Sequence, residues 1–210
     1  ELKKDLVTLY EKQLLQPVWN KLYITKIIKD NNISFRNLDF GEDILFNRQY
    51  LFNTFSIYIT SLPLYHYIKT ENFSITEKYI KNLFEIRKKE YYEFCSFFDT
   101  CGLKKEQYLE YVSRRHIEKL IECIKNYEKV DCNLTFKEKR KEVKNILHDP
   151  LTKKCLKNMT LKSKKLKLFY FLFSLDLSLS LIFIFTFAKI TKPATGSNSL
   201  APLKNVSTAS

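Results

Sequence analysis

The sequence predicts a mixed α/β portion that passes near residue 75 into an all-helical region, so that the chain is mostly helical. Before residue 75, short runs of β-branched and aromatic residues are separated by turn-forming residues, a pattern typical of strands. After it, apolar residues recur at helical spacing among many lysines. Hydrophobic residues make up 45% of the 210-residue chain, which is enough for a packed core.

The first elements follow from the spacing of apolar residues. Residues 1–15 predict a helix, which a proline interrupts, and a second helical pattern over residues 18–32 ends at two asparagines. Residues 33–35 are a short strand candidate. After a loop, apolar spacing predicts a helix that begins at Glu42.

The later elements divide into strands and helices on either side of residue 75. Residues 56–60 and 64–69 predict two short strands separated by a proline. Gly102 marks a clear turn between the first two of the helices that follow. These helices are predicted at residues 76–98, 104–130, 136–147 and 150–157.

Residues 166–190 form the most apolar segment, and their length matches a bilayer crossing. Asp176 lies near the middle, where an acid costs about 2.5–3.5 kcal/mol on insertion scales. The segment could lie in the membrane interface, span the membrane, or form a buried core helix. The lysines expected to contact lipid phosphates in the interface are Lys162, Lys164, Lys165 and Lys167.

The net charge of +13 indicates an anionic partner. The chain has no zinc-finger spacing, no ribonucleoprotein signature and no glycine-rich loop, so a nucleic-acid partner is not expected. Lysines are densest over residues 137–167, directly before the apolar segment, which favours an anionic membrane surface. The five cysteines form no CxxC pair, and this pattern predicts free thiols in a reducing cytoplasm.

Two neighbouring stretches carry a family resemblance. PVWNKLYITKIIKDNNISF at residues 17–35 is followed by FGEDILFNRQYL at residues 40–51. With LYHYIKTENFSIT at residues 64–76 and VKNILHDPLTKKCLK at residues 143–157, they resemble the acceptor-side half of family-2 glycosyltransferases of the GT-A fold. These are bacterial enzymes that build capsular and cell-wall polysaccharides. The resemblance covers roughly residues 1–160.

This resemblance implies a role for the adjacent acids Glu42 and Asp43. Inverting sugar transfer needs a carboxylate that takes the proton from the acceptor hydroxyl. By resemblance, Asp43 is that base, and Glu42 orients it or the acceptor. Gly41 would let the backbone turn tightly before the helix. The alternative is that both acids only stabilise the first turn of a helix through its dipole.

The resemblance also implies binding residues and a metal. Trp19 and Asn20 would lie near the acceptor, and His66 and Lys69 are candidates for the diphosphate of the donor. Family members hold Mg²⁺ or Mn²⁺ on that diphosphate with an Asp-x-Asp motif, and no such motif precedes Glu42. We therefore expect that the nucleotide-binding half is missing from this chain and that the isolated chain is inactive.

The expected organisation has four parts. They are an acceptor-side part of a GT-A-like catalytic domain at 1–75, a helical extension at 76–160, a basic and apolar membrane-associated helix at 161–192, and a disordered tail at 193–210. The expected function is hexosyltransferase-type transfer of a sugar from a nucleotide-sugar donor to a saccharide or lipid-linked acceptor, at the inner face of the plasma membrane. The alternative is a non-catalytic helical membrane-anchoring or interaction protein.

Overall fold

The computed structural model describes residues 2–36, 41–54, 56–62, 65–66 and 78–174. Within these ranges the chain forms eight α-helices and no strand, so the mostly helical prediction is confirmed. The helices are α1 Leu2–Glu11, α2 Thr25–Asp30, α3 Glu42–Phe52, α4 Leu83–Thr100, α5 Lys105–Asn126, α6 Phe136–His148, α7 Pro150–Asn158 and α8 Lys164–Ser174.

Helix α5 lies at the centre of the main hydrophobic core. Apolar residues recur along its length at three- and four-residue spacing, and Ile117, Leu120 and Ile121 are essentially inaccessible to solvent. Helices α1, α4 and α7 pack against α5, and α6 packs against α7. Burial on this scale removes apolar surface from water on several sides of one helix, so α5 organises the bundle.

An aromatic cluster joins the N-terminal helix to the bundle. The Tyr10 ring of α1 meets the rings of Phe94 and Phe98 edge-on, at centroid distances of 5.2 and 5.8 Å. Phe98 in turn stacks on Tyr108 of α5 at 5.2 Å. Such edge-to-face and offset pairs stabilise a core beyond their buried area. The main core therefore includes residues on both sides of residue 75, where the sequence predicts a boundary between a mixed α/β part and a helical extension.

A second, smaller cluster packs α3 against the chain that precedes it. Ile33, Phe46 and Tyr50 are buried together, and Phe35 stacks on Phe46 at 4.4 Å. The strand predicted at 33–35 is absent, because this segment packs its side chains onto α3 and does not pair with another strand among the described residues.

The other strand predictions also fail where the structure describes them. Residues 56–60 run as irregular chain, and Tyr58 is 92% exposed. Their β-branched and aromatic composition therefore does not reflect burial against a sheet. Of the predicted strand at 64–69, only residues 65–66 lie among the described residues, and they are irregular.

The helix predicted at 18–32 is much shorter than expected. Only Thr25–Asp30 is helical, because side chains of α3 bind the backbone before it. The Tyr50 hydroxyl accepts the Ile24 N–H at 2.9 Å, and the Asn47 amide binds the carbonyl of Pro17. Backbone groups that have found such partners do not need helical hydrogen bonds. The first helix likewise ends at Glu11, since Gln13 has a left-handed φ of 58°.

The bundle helices agree with prediction except at two ends. Helix α4 begins at Leu83, seven residues later than predicted, because the preceding backbone pairs with side chains at and just after the end of α5. The N–H of Tyr79 donates to Asp131 at 2.8 Å, and Ile80 exchanges two hydrogen bonds with Asn126. Helix α5 stops at Asn126, four residues early. Helices α6 and α7 match their predicted bounds within one residue.

Helix α8 begins the basic and apolar segment. Ser163 accepts the Leu166 N–H at 3.2 Å and so caps its start. Residues 175–190 of the predicted apolar segment, and the tail at 193–210, lie outside the described residues. Among the helices that the structure describes, none combines the length and the apolar character that a membrane crossing needs.

Candidate active site

The acidic pair lies in the first turn of α3, as the sequence predicts. Helix α3 begins at Glu42 directly after Gly41, whose φ of 84° is left-handed. A side chain at this position would be strained by that φ, although a Cβ would meet no atom within 4 Å. Glu42 and Asp43 are both half-buried. The turn at Gly41 thus places Asp43 where α3 meets the chain from Leu15 to Lys21.

Asp43 contacts the segment that the resemblance assigns to the acceptor side. Its Oδ2 accepts the backbone N–H of Val18 at 3.3 Å. The two segments are 25 residues apart in sequence, and Val18 directly precedes Trp19 and Asn20. The structure therefore brings three of the predicted site residues into one region.

Asn47 holds the same segment one turn further along α3, and no sequence pattern pointed to it. Its side chain is 1% exposed, and its Nδ2 donates to the carbonyls of Leu15 at 3.0 Å, Gln16 at 2.9 Å and Pro17 at 3.2 Å. Its Oδ1 accepts the Tyr23 hydroxyl at 2.6 Å. Because Asn47 lies four residues after Asp43, both side chains project from the same face of α3. The sequence offered one signal for Asn47, which is that a polar residue lies beside the apolar positions Phe46 and Tyr50 on the predicted helix.

Lys21 closes the turn beside Asp43. Its ammonium donates to the carbonyl of Pro17 and to Asn20 Oδ1, the latter at 2.7 Å. Burial lowers the pKa of Lys21 to about 8, and the nearby Asp43 carboxylate partly opposes that shift. Burial also raises the pKa of the Tyr23 hydroxyl, and the negative charge of Asp43 adds to this effect. Asp43 thus shares its surroundings with one cation and one protonated phenol.

Trp19 offers a partly exposed aromatic face at the edge of this region. Its ring is 44% exposed and stacks on Tyr65 with centroids 5.0 Å apart. Asn20 is exposed, and His66, which follows Tyr65, is exposed as well. The predicted diphosphate ligand Lys69 lies outside the described residues. A flat pair of rings beside polar groups is a surface on which a sugar ring can stack.

An adjacent face of α3 is anchored in the main core. Arg48 is buried, its guanidinium lies 3.8 Å from the centre of the Phe94 ring, and it pairs with Glu93 at 3.6 Å. The cation–π contact and the ion pair both join α3 to α4. Asp43 therefore projects from a helix that is held on two faces, by Arg48 and by Asn47.

The surroundings of Asp43 do not fit a divalent cation. Asp43 Oδ2 accepts the Val18 N–H, and the charge of Asp43 acts on the nearby Lys21 ammonium, so these two neighbours are a donor and a cation and supply no oxygen ligand to a metal. No group of three or more His, Cys, Asp or Glu side chains is placed to hold a metal ion within the described residues. A metal bound to a donor diphosphate would therefore need ligands other than these.

A separate cleft of about 520 Å³ lies on the outer surface of α4. It is a shallow surface feature, formed by residues of one helix, and it does not include any predicted site residue. Its lining residues are Glu85, Lys88, Lys89, Tyr92, Glu93 and Ser96.

Comparisons of the chain with protein-family models, with curated proteins and with solved structures found no match.

Proposed function

We propose that this chain forms the acceptor side of a family-2 glycosyltransferase, in which Asp43 is the general base for sugar transfer. The observation that supports this most directly is the contact between Asp43 Oδ2 and the Val18 N–H. It joins the two sequence stretches on which the family resemblance mainly rests, and Val18 directly precedes Trp19 and Asn20 in the chain.

The proposed chemistry is a single displacement at the anomeric carbon of a nucleotide sugar. The Asp43 carboxylate takes the proton of an acceptor hydroxyl as that oxygen attacks, and the nucleotide diphosphate leaves with the bonding electrons. Glu42, half-buried at the start of α3, orients Asp43 or the acceptor. Trp19 supplies a ring face for the acceptor sugar, with Asn20 beside it.

The donor side is proposed by resemblance alone. His66 and Lys69 are candidates for the diphosphate, and a nucleotide-binding half with an Asp-x-Asp motif would supply the Mg²⁺ or Mn²⁺. The acceptor would be a saccharide or a lipid-linked saccharide used in surface polysaccharide synthesis, at the cytoplasmic face of the membrane.

Acceptor binding can be measured on the chain itself, because Trp19 is its only tryptophan. We expect saccharide acceptors to change Trp19 emission with saturation. Asn20→Ala should weaken this binding, and Asn31→Ala, at an exposed asparagine of another turn, should not. Saccharides that leave Trp19 emission unchanged across all acceptor classes would argue against the acceptor site.

Transfer itself requires the chain joined to a nucleotide-binding half. There, Asp43→Asn keeps the size of the side chain and removes its basicity, so kcat should fall by about 10²–10⁴-fold with little change in donor binding. Glu42→Gln should be milder if Glu42 only orients its neighbour. Near-full transfer by both variants would show that the pair is not catalytic.

The alternative function is a non-catalytic interaction or membrane-anchoring protein. It is favoured by the same contact, because a carboxylate that accepts a backbone N–H at 3.3 Å also serves a purely structural turn. In that case Asp43→Asn would lower the free energy of unfolding and leave saccharide binding absent in both proteins.

A further inference from the structure

Helix α8 has one face in the main core and one face in solvent. Leu166 and Phe169 are each 2% exposed and belong to the main core, and Phe173 packs against it. On the opposite side, Leu168 is 48% exposed and Phe171 is 57% exposed. The helix is therefore fixed to the bundle by its inner face and leaves large apolar groups on its outer face.

The outer face of α8 changes from charged to apolar along the helix axis. Lys164, Lys167, Leu168 and Phe171 are spaced three or four residues apart and so share one side of α8, and both lysines are exposed. A helix that lies flat in a membrane interface has its charged and apolar residues on opposite sides of the axis. Here the charged residues come first and the apolar residues follow. The next fourteen residues, 175–188, contain a single charged residue, Asp176.

The chain that leads into α8 is clamped to the bundle. Glu110 of α5 accepts the backbone N–H and the hydroxyl of Thr160, at 3.2 and 2.5 Å. Lys162 pairs with Glu11 at 3.0 Å and with Glu110 at 3.6 Å, and Arg114 pairs with both of these acids. Lys162 is thus engaged within the protein. Of the other lysines expected to contact lipid, Lys164 and Lys167 are exposed, and the side chain of Lys165 lies outside the part of the chain that the structure describes.

We propose that the outer face of α8 is the contact of this protein with an acidic lipid bilayer, and that α8 points into that bilayer. Lys164 and Lys167 lie at the level of the phosphates, and Leu168 and Phe171 lie deeper, towards the acyl chains. The positive charge fits acidic headgroups, and the apolar residues continue into the apolar sequence after Ser174. The inference rests on the proposed function only for the choice of the cytoplasmic leaflet, where nucleotide sugars would be used.

The first experiment measures co-sedimentation of the full chain with vesicles of phosphatidylcholine, with or without phosphatidylglycerol. Each lysine near an acidic surface contributes about fivefold to binding. Lys164→Gln with Lys167→Gln should therefore weaken binding to acidic vesicles by about 25-fold. The control is Lys137→Gln with Lys141→Gln, which removes the same charge from exposed positions on α6. Equal losses in both double variants would show that only net charge attracts the protein and would overturn the proposal.

The second experiment measures depth with lipids brominated along the acyl chain. Tryptophan is introduced in Lys164→Trp, Leu168→Trp and Phe171→Trp, and emission is compared with the parent chain. Quenching should increase from residue 164 to residue 171. The control is Val130→Trp, at a fully exposed residue between α5 and α6, which should not be quenched. Uniform shallow quenching would mean that α8 lies flat, and oligomers without vesicle binding would mean that the face binds protein; either result overturns the proposal.

These outcomes are separable from the proposed function. The α8 variants change exposed residues and should keep the circular dichroism spectrum of the parent. Saccharide binding at Trp19 should be unaffected by them, so a protein that binds saccharide but not vesicles refutes only the membrane contact.

Discussion

Asn47 is the residue on which the position of the Asp43 turn should depend most. Asn47→Ala removes four hydrogen bonds, to the carbonyls of Leu15, Gln16 and Pro17 and from the hydroxyl of Tyr23. The Leu15 bond is fully buried, so its carbonyl would remain unsatisfied, at a cost of about 1–3 kcal/mol. The other three groups are only partly buried, and water can replace much of what they lose. We expect the free energy of unfolding to fall by about 3 kcal/mol.

The matched control is Asn53→Ala, at the residue that directly follows the last residue of the same helix. Asn53 donates one hydrogen bond, to the carbonyl of Gln49 at 2.9 Å, so its loss should cost about 1 kcal/mol or less. Urea unfolding followed by circular dichroism gives both free energies. Trp19 emission adds a local measurement, since Trp19 lies two residues after Pro17. Only Asn47→Ala should shift that emission to longer wavelength and increase quenching by acrylamide.

Two results would refute this reasoning. Equal destabilisation by the two variants would mean that the Asn47 amide contributes no more than an ordinary surface bond. Unchanged Trp19 emission in a destabilised Asn47→Ala would mean that the turn at residues 15–18 is held by other contacts, and that Asp43 does not depend on Asn47 for its partner.

Three further predictions concern single residues. Gly41→Ala and Gly102→Ala both place a Cβ at a left-handed φ, 84° and 80°, and each should lower the free energy of unfolding by about 1–2 kcal/mol. Only Gly41→Ala should alter Trp19 emission. A change of emission in Gly102→Ala and none in Gly41→Ala would contradict the site geometry. Burial lowers the pKa of His116 to about 4 from the usual 6.5, so the unfolded chain binds that proton first as pH falls. The free energy of unfolding should therefore drop by about 2 kcal/mol between pH 7.5 and pH 5, and His116→Gln should remove that drop. If the urea midpoint of His116→Gln depends on pH in the same way as that of the parent chain, the prediction is wrong. Thr135→Ala removes the hydroxyl that accepts the Glu138 N–H at 3.3 Å and donates to the Glu138 carboxylate at 2.6 Å at the start of α6. It should cost about 1 kcal/mol, read from the denaturation midpoint, whereas no change would mean that α6 is held by packing alone.

The bundle helices could be predicted because their sequences carry both periodicity and end signals. Thr135 and Glu138 form a capping box at the start of α6, and Asp149 followed by Pro150 begins α7. Buried apolar residues then recur at helical spacing, along one side of α6 and on several sides of α5. In these helices the local end signals and the tertiary packing favour the same structure, so the sequence pattern is sufficient to predict them.

The N-terminal region could not be predicted in the same way, because long-range side chains decide its backbone. Residues 18–24 have a helical pattern, but the Asn47 amide and the Tyr50 hydroxyl bind their neighbours' backbone groups from another helix. The aromatic residues at 33–35 and 56–60 resemble strands only in composition. Phe35 uses its ring to cover Phe46, a contact that no local pattern reports.

The position of the two acids in the first turn of α3 was predictable from the sequence, and the side chains that surround them were not. The resemblance pointed to Asp43 with Trp19 and Asn20, and the structure places these residues in one region. Lys21 lay within the matching run, but its burial beside Asp43 depends on how the turn folds. Asn47 is one of many asparagines in the chain, and only its three carbonyl partners distinguish it.

The way in which α3 is held bears on the choice between a catalytic and a structural acid. A helix start needs only that its first turn carry acids near the positive end of the dipole, which tolerates small displacements. The helix that carries Asp43 is instead held at two further points, by the Asn47 amide, which binds three carbonyls, and by the Arg48 guanidinium, which packs against Phe94. A buried amide whose hydrogen bonds are satisfied, such as that of Asn47, fixes the geometry of the chain around it. A general base must be held within a fraction of an ångström of its working position. The fixed position of α3 therefore favours the proposed catalytic role for Asp43.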